Sequence, residues 1–201
     1  MSFTPASSTP TPTPIPNTTA NTNTTFDFPR EYHFPPFFTK QTNLITLHSQ
    51  LEKWSSLVLA YCRHHRLFKL SLSYEGTAYE DLFLNKSLGR RLHLADVREV
   101  LEFMRREGRA EPVGGKDPGD VFWVYWKTPE EWAGLVEAWV DDTAQKGTVL
   151  TLYELTEGEG TRGTEFHGLD SELLQKALQV LVKRGKAQIF GQEDQQGVKF
   201  F

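Results

Sequence analysis

The chain has 201 residues, a net charge of −4, 38% hydrophobic residues and 24% charged ones, which is room for one large domain or two small ones. No run of about 18 apolar residues occurs, which excludes a membrane-spanning helix. The single cysteine, Cys62, excludes an intrachain disulfide, and the acidic balance argues against a broad nucleic-acid-binding surface.

Residues 1–30 hold six of the eleven prolines and nine threonines, with Asp27 and Arg30 as the only charges. Such a segment buries too little apolar surface to offset the entropy of ordering it, and it is predicted to be disordered. It has neither a basic n-region nor an apolar core, so it does not read as a signal peptide. The sequons at Asn17 and Asn23 then read as accidents of a Thr-rich tail.

Residues 31–42 form a different kind of segment. Tyr32, Phe34, Phe37 and Phe38 surround the pair Pro35-Pro36. Paired prolines predict an extended arm, and flanking aromatic rings are the residue types that dominate protein interfaces. The arm is expected to expose those rings in the isolated chain, for a cavity on another polypeptide; the alternative is that it folds back onto its own domain. A helix is predicted next, roughly from Ser49 to His65, with Leu51, Trp54, Leu57, Val58 and Tyr61 on one face. A short strand in LFKLSLS and a short helix in AYEDLFLN follow.

The most informative feature is an internal repeat. VREVLEFMRREGRAE (97–111) aligns without a gap on LQKALQVLVKRGKAQ (174–188). Val97, Val100, Leu101 and Met104 fall on Leu174, Ala177, Leu178 and Leu181, the spacing of one buried helical face. Gly108 falls on Gly185, where glycine stops a helix. Two apolar strands around a polar turn follow in each copy, the turns at 114–120 and 191–197. The first of these helices is predicted over 94–107.

The second copy starts at TPEEW, with Thr128 as N-cap, Pro129 at the first helical position and Glu131 completing a capping box. TVLTL reads as a strand, YELTEG as a short helix, and Asp170 as the N-cap of the last helix. Each copy thus reads helix, strand, helix, helix, strand, strand, the order of a winged helix. The fold class is α+β, mainly helical: two tandem winged-helix domains, 43–127 and 128–201, preceded by the arm. The join at Lys127-Thr128 leaves almost no linker, which predicts a rigid contact between the copies.

A winged helix suggests DNA binding, but Asp96 leads the third helix of one copy, and Asp170 and Glu172 that of the other. These are the wrong sign for phosphate. No catalytic set stands out. His64 and His65 are adjacent and point in different directions, His48, His93 and His167 lack partners at ligand spacing, and Cys62 reads as core. The glycines of EGEGTRGTEFHG match no phosphate loop. No enzyme activity, cofactor or metal is expected.

FPPFFTKQ, TPEEW, TLYELTEGE, EFHGLD and the final GVKFF together resemble the vacuolar protein-sorting-associated protein 25 family, the small subunits of the ESCRT-II endosomal sorting complex. The resemblance covers about residues 31 to 201. It implies a non-catalytic adaptor of tandem winged helices in the cytoplasm, recruited to the endosomal membrane only through its complex. It implies that the Pro-Pro-X-aromatic motif, here Pro35, Pro36, Phe37 and Phe38 with Phe34 and Tyr32 beside it, docks on vacuolar protein-sorting-associated proteins 22 and 36. Phe38 stands where some relatives carry Tyr, so no phenolic hydroxyl helps at that position. The second winged helix is expected to recruit the ESCRT-III subunit vacuolar protein-sorting-associated protein 20, for sorting of ubiquitinated cargo into multivesicular bodies. No nucleic acid is expected among the partners.

Overall fold

The structure, a computed structural model, describes residues 25–114, 119–191 and 196–201. The tail expected to be disordered falls mostly outside these residues. Its last six, 25–30, are described and differ from that expectation, because Phe26 and Phe28 pack against the first helix.

That helix, α1 (Leu44–His65), begins earlier than the predicted Ser49. The Asn43 side chain accepts from the backbone N–H groups of Ile45 and Thr46 at 3.0 and 3.2 Å and caps the helix there. The helix ends at Arg66, a non-glycine residue with φ 53°. Then follow β1 (Lys69–Ser71), α2 (Glu80–Phe83) and a small hairpin not foreseen from the sequence, β2 (Leu84–Asn85) with β3 (Arg90–Arg91). Next come α3 (Leu94–Arg106), β4 (Ala110–Pro112) and β5 (Val121–Val124).

The remainder is α4 (Pro129–Asp142), β6 (Val149–Thr151), α5 (Leu152–Glu157), α6 (Ser171–Lys183), β7 (Ala187–Phe190) and β8 (Gly197–Phe200). The centres of the two predicted hairpin turns, 115–118 and 192–195, lie outside the described residues.

The two halves repeat each other in space. Each has a three-stranded antiparallel sheet, ordered β1-β5-β4 in one and β6-β8-β7 in the other. The glycine stops are equivalent in detail. Gly108 and Gly185 have φ of 71° and 69°, and the next residue donates back to the helix in both, Arg109 to the Met104 carbonyl at 2.8 Å and Lys186 to that of Leu181 at 2.9 Å.

The apolar residues form two clusters. The first holds Trp54, Val58 and Tyr61 of α1, Val97, Leu101 and Met104 of α3, and Phe122 and Val124 of β5. The second gathers Trp132 and Val136 of α4 with Leu174, Leu178 and Leu181 of α6. The clusters do not divide at Lys127-Thr128. Trp123 and the following Tyr125 belong to the second, while Phe122 and Val124 belong to the first. Alternate side chains of one strand point to opposite faces, so β5 serves two interiors.

The capping box at α4 is complete: Glu131 N–H donates to Thr128 Oγ1 at 3.3 Å, and Thr128 N–H donates to Glu131 Oε2 at 2.6 Å. Thr128→Ala is expected to cost about 0.5–2 kcal/mol in urea unfolding at pH 7. The Thr128 N–H, then Arg109, hold the Glu131 carboxyl below its usual range. A depressed folded-state pKa adds stability above the unfolded glutamate value of about 4.3. That stability is lost as pH falls below it through the folded value. Glu131→Gln should therefore flatten the acid side of the stability profile.

Candidate protein-docking site

The six residues expected to dock lie on one segment, but the structure splits them into two sets. Tyr32, Phe37 and Phe38 are 4%, 6% and 3% exposed, whereas Phe34 is 60% exposed and both Pro35 and Pro36 face solvent. The expectation of an extended arm with free rings is corrected on both counts.

The arm is not extended. Arg30–His33 and Pro35–Phe38 are each a single 3-10 turn. Phe37 N–H donates to the Phe34 carbonyl at 2.9 Å and Thr39 N–H to that of Pro36 at 3.1 Å. Proline favours this start, because the first residues of a helical turn have no use for a backbone donor.

The inward rings have a prepared seat. Phe37 stacks on Trp54 with centroids 4.3 Å apart and planes 6° apart, and Phe38 meets the same indole edge-on at 5.4 Å. Burying two phenylalanines yields roughly 3–6 kcal/mol, enough to hold a short turn in place. The backbone is held as well. Trp54 Nε1 donates to the Phe37 carbonyl at 3.0 Å. Gln50, a buried polar residue on α1, donates through Nε2 to the carbonyls of Phe37 at 2.8 Å and Thr39 at 2.9 Å.

Upstream, the Tyr32 hydroxyl donates to the Asp81 carbonyl, and Asn85 Nδ2 donates to the Tyr32 carbonyl at 2.9 Å. Burial, then the Asp81 charge, pushes the Tyr32 phenol up, so it remains a donor. Glu31 and Lys40 close the ends through ion pairs with Lys53 at 2.9 Å and Glu99 at 2.8 Å.

Phe34 and Pro36 of the outward set line a hollow of about 200 Å³ between the turn and α1, together with Gln41, Thr46, Ser49 and the ion-paired Glu31 and Lys53. Leu44 and Ile45, each 80% exposed, stand on the first turn of α1. The sequence reading missed these two, and it missed Gln50 and Asn85, whose side chains hold the arm. Asn43 as an N-cap and a Gln inside an apolar stripe were the available signals.

Other candidates are placed plainly. Among the described residues no three His, Cys, Asp or Glu side chains group to hold a metal ion. His48 lies 3.5 Å from Glu52, His167 Nδ1 lies 3.1 Å from Thr161 Oγ1, and His65 packs on Tyr61, its pKa lowered chiefly by burial. Cys62 is fully buried. The acidic start of α6 is engaged within the chain, since Lys69 pairs with Asp170 at 3.4 Å and Glu172 at 3.1 Å. Arg98 and Arg105 on α3 are likewise paired, with Asp120 and Glu102.

The ESCRT-II complex subunit family model matches residues 31–170. The chain is 41% identical over 176 residues to vacuolar protein-sorting-associated protein 25 of Xenopus laevis, covering 88% of this chain and 99% of that protein. It is 42% identical over 177 residues to its Homo sapiens counterpart, covering 88% and 98%. Among solved structures it is similar to the VPS25 subunit of the endosomal trafficking complex ESCRT-II, with a TM-score of 0.77, 27% identity and coverage of 86% and 98%. A chain of the ESCRT-II complex VPS22/VPS25/VPS36 gives 0.75 and 28%, with the same coverage.

Proposed function

This chain belongs to the ESCRT-II complex subunit family, as a relative of vacuolar protein-sorting-associated protein 25, and on that premise we propose that it is a non-catalytic adaptor that assembles with the two larger ESCRT-II subunits, vacuolar protein-sorting-associated proteins 22 and 36. In this reading residues 43–127 and 128–201 are tandem winged helices and residues 31–42 dock on the larger subunits. The protein works in the cytoplasm and reaches the endosomal membrane through its complex. The second winged helix recruits the ESCRT-III subunit vacuolar protein-sorting-associated protein 20, in sorting ubiquitinated cargo into multivesicular bodies.

The observation that carries the docking reading is a preformed apolar turn. Phe34, Pro35 and Pro36 are held outward, with Tyr32, Phe37 and Phe38 as the anchors beneath. A turn already ordered loses little entropy when it binds. Three side chains do not offset an association cost of about 4–15 kcal/mol, so the hollow and the exposed Leu44 and Ile45 belong to the same contact. The motif therefore acts in two ways, its first half touching the partner and its second half fixing the first.

The test is Phe34→Asp combined with Ile45→Asp. Both positions are exposed, so the melting temperature of the free chain should barely change. Capture of the two larger subunits should weaken by roughly 30-fold or more. Undiminished capture would overturn the docking surface. The paired charges at the start of α6 and along α3 speak against a DNA-binding reading, which requires a gel shift that weakens steeply with salt.

A further inference from the structure

We propose that a second hollow beside α1 is a recognition site for polyproline segments, and that its resident ligand is a stretch of this chain's own tail, Thr13-Pro14-Ile15-Pro16.

The hollow, of about 510 Å³, lies between α1 and residues 26–29. Phe26, Phe28 and Pro29 form one wall, and Ser56, Leu57 and Ala60 of α1 form the floor. Phe26 and Phe28 meet edge to face with centroids 5.0 Å apart, and both are half-buried, so part of each ring is left outward. Phe28 stacks on Tyr32 at 3.9 Å and Phe26 lies edge-on to Tyr61 at 5.0 Å, so the wall stands in place before any ligand arrives. At the rim, Lys53 and Glu31 neutralise each other at 2.9 Å. A groove walled by aromatic rings is the type of surface that takes a polyproline II segment. This one follows α1 from Glu52 to Ala60, about 12 Å at 1.5 Å per residue. Polyproline II rises about 3.1 Å per residue, so about four residues fill it.

The tail supplies such a segment. In TPTPTPIP, residues 9–16, every residue is a proline or precedes one. Both kinds are confined to extended backbone, so little freedom is left to lose on docking. Ile15 is the only aliphatic side chain larger than alanine between Phe3 and Phe26, and residues 1–24 carry no charged side chain. An uncharged, stiff strand with one apolar branch suits an uncharged hollow with an aromatic wall.

The point of attachment favours this strand over any other. Phe26 is both a wall of the hollow and the second described residue. Nine residues, 16–24, separate Ile15 from Thr25. A flexible linker of that length spans about 15–18 Å, more than the hollow is long. It holds its two ends at an effective concentration in the millimolar range, so a contact with a Kd of about 1 mM is about half occupied within one molecule. The site is complete in a single chain and stands whether or not Phe34 and Ile45 bind a partner.

The test uses the full chain with 15N-labelled amides. Cys62 is fully buried, so a nitroxide attaches to the tail alone, through Thr11→Cys or Asn21→Cys. An unseated tail broadens α1 more from residue 21, which is nearer the fold. A seated tail should broaden the amides from Glu52 to Ala60 at least as strongly from residue 11. Ala60→Glu, at an exposed position, and Ile15→Asp, in the tail, should each abolish the broadening from residue 11, with the melting temperature barely changed. Weaker broadening from residue 11 than from residue 21, or broadening that survives both substitutions, would overturn the proposal. Broadening of 15N-labelled chains by separate nitroxide-bearing chains would overturn it too, because the hollow would then hold the tail of a second copy.

Discussion

Phe37→Ala is expected to destabilise the free chain by about 3–5 kcal/mol, and the double replacement of Phe37 and Phe38 by less than twice that amount. The cost is large because both rings lie on Trp54 in a nearly closed interior, and deleting them leaves a void under the arm. The sum is incomplete because the rings also touch each other, with centroids 6.0 Å apart. A domain of this kind has only about 5–15 kcal/mol in hand, so the double variant should be extensively unfolded at moderate urea. The urea midpoint reads the effect directly. A freely exposed pair of rings predicts no change in midpoint at all, and such a result would return the arm to the extended hook first read from the sequence. Loss of partner capture by this variant is then a consequence of unfolding. That is why the docking surface is tested instead at Phe34 and Ile45.

The second large effect compares two buried tryptophans. Trp54→Ala and Trp132→Ala should each cost about 3–5 kcal/mol, since the two indoles are 1% and 0% exposed. Their phenylalanine variants should differ. Trp54 Nε1 donates to the Phe37 carbonyl, so Trp54→Phe loses a hydrogen bond of about 0.5–1.5 kcal/mol in addition to volume. Gln50 still serves that carbonyl and keeps the loss near the low end. Trp132 Nε1 has no acceptor among the described residues, and the ring lies edge-on to Trp126 at 5.0 Å. Trp132→Phe therefore removes a donor that contributes nothing and should be the milder of the two. Equal urea midpoints for the two phenylalanine variants would mean that the Trp54 hydrogen bond carries no net weight.

Much of this architecture was legible because it is local. Thr128, Pro129 and Glu131 announce α4 within four residues, Asp170 announces α6, and the paired glycines mark equivalent helix ends. The start of α1 was misplaced for a local reason too. Leu44 and Ile45 are exposed, so the apolar stripe that identified the helix begins only at Leu51, while the cap at Asn43 lies upstream of it.

The arm was harder. Its composition is that of an interface, and nothing within residues 31–42 says whether the interface is with another polypeptide or with the chain's own helix. The answer lies in Trp54 and Gln50, whose roles appear only when α1 is placed alongside. The shared strand did leave a trace. VFWVYW is apolar without alternation, the pattern of a strand buried on both faces, and it marks Trp123 as belonging elsewhere than Phe122.

Residues 25–41 run alongside α1 in the opposite direction, from Phe26 beside Tyr61, His64 and His65 to Gln41 beside Gln50. At 1.5 Å of rise per residue, the two ends of this strap lie about 20 Å apart along the helix axis. A fluorescent protein or affinity handle fused ahead of residue 25 would join the fold at the far end from the Pro35-Pro36 corner. Imaging and pull-down reagents for this protein are best built at that end.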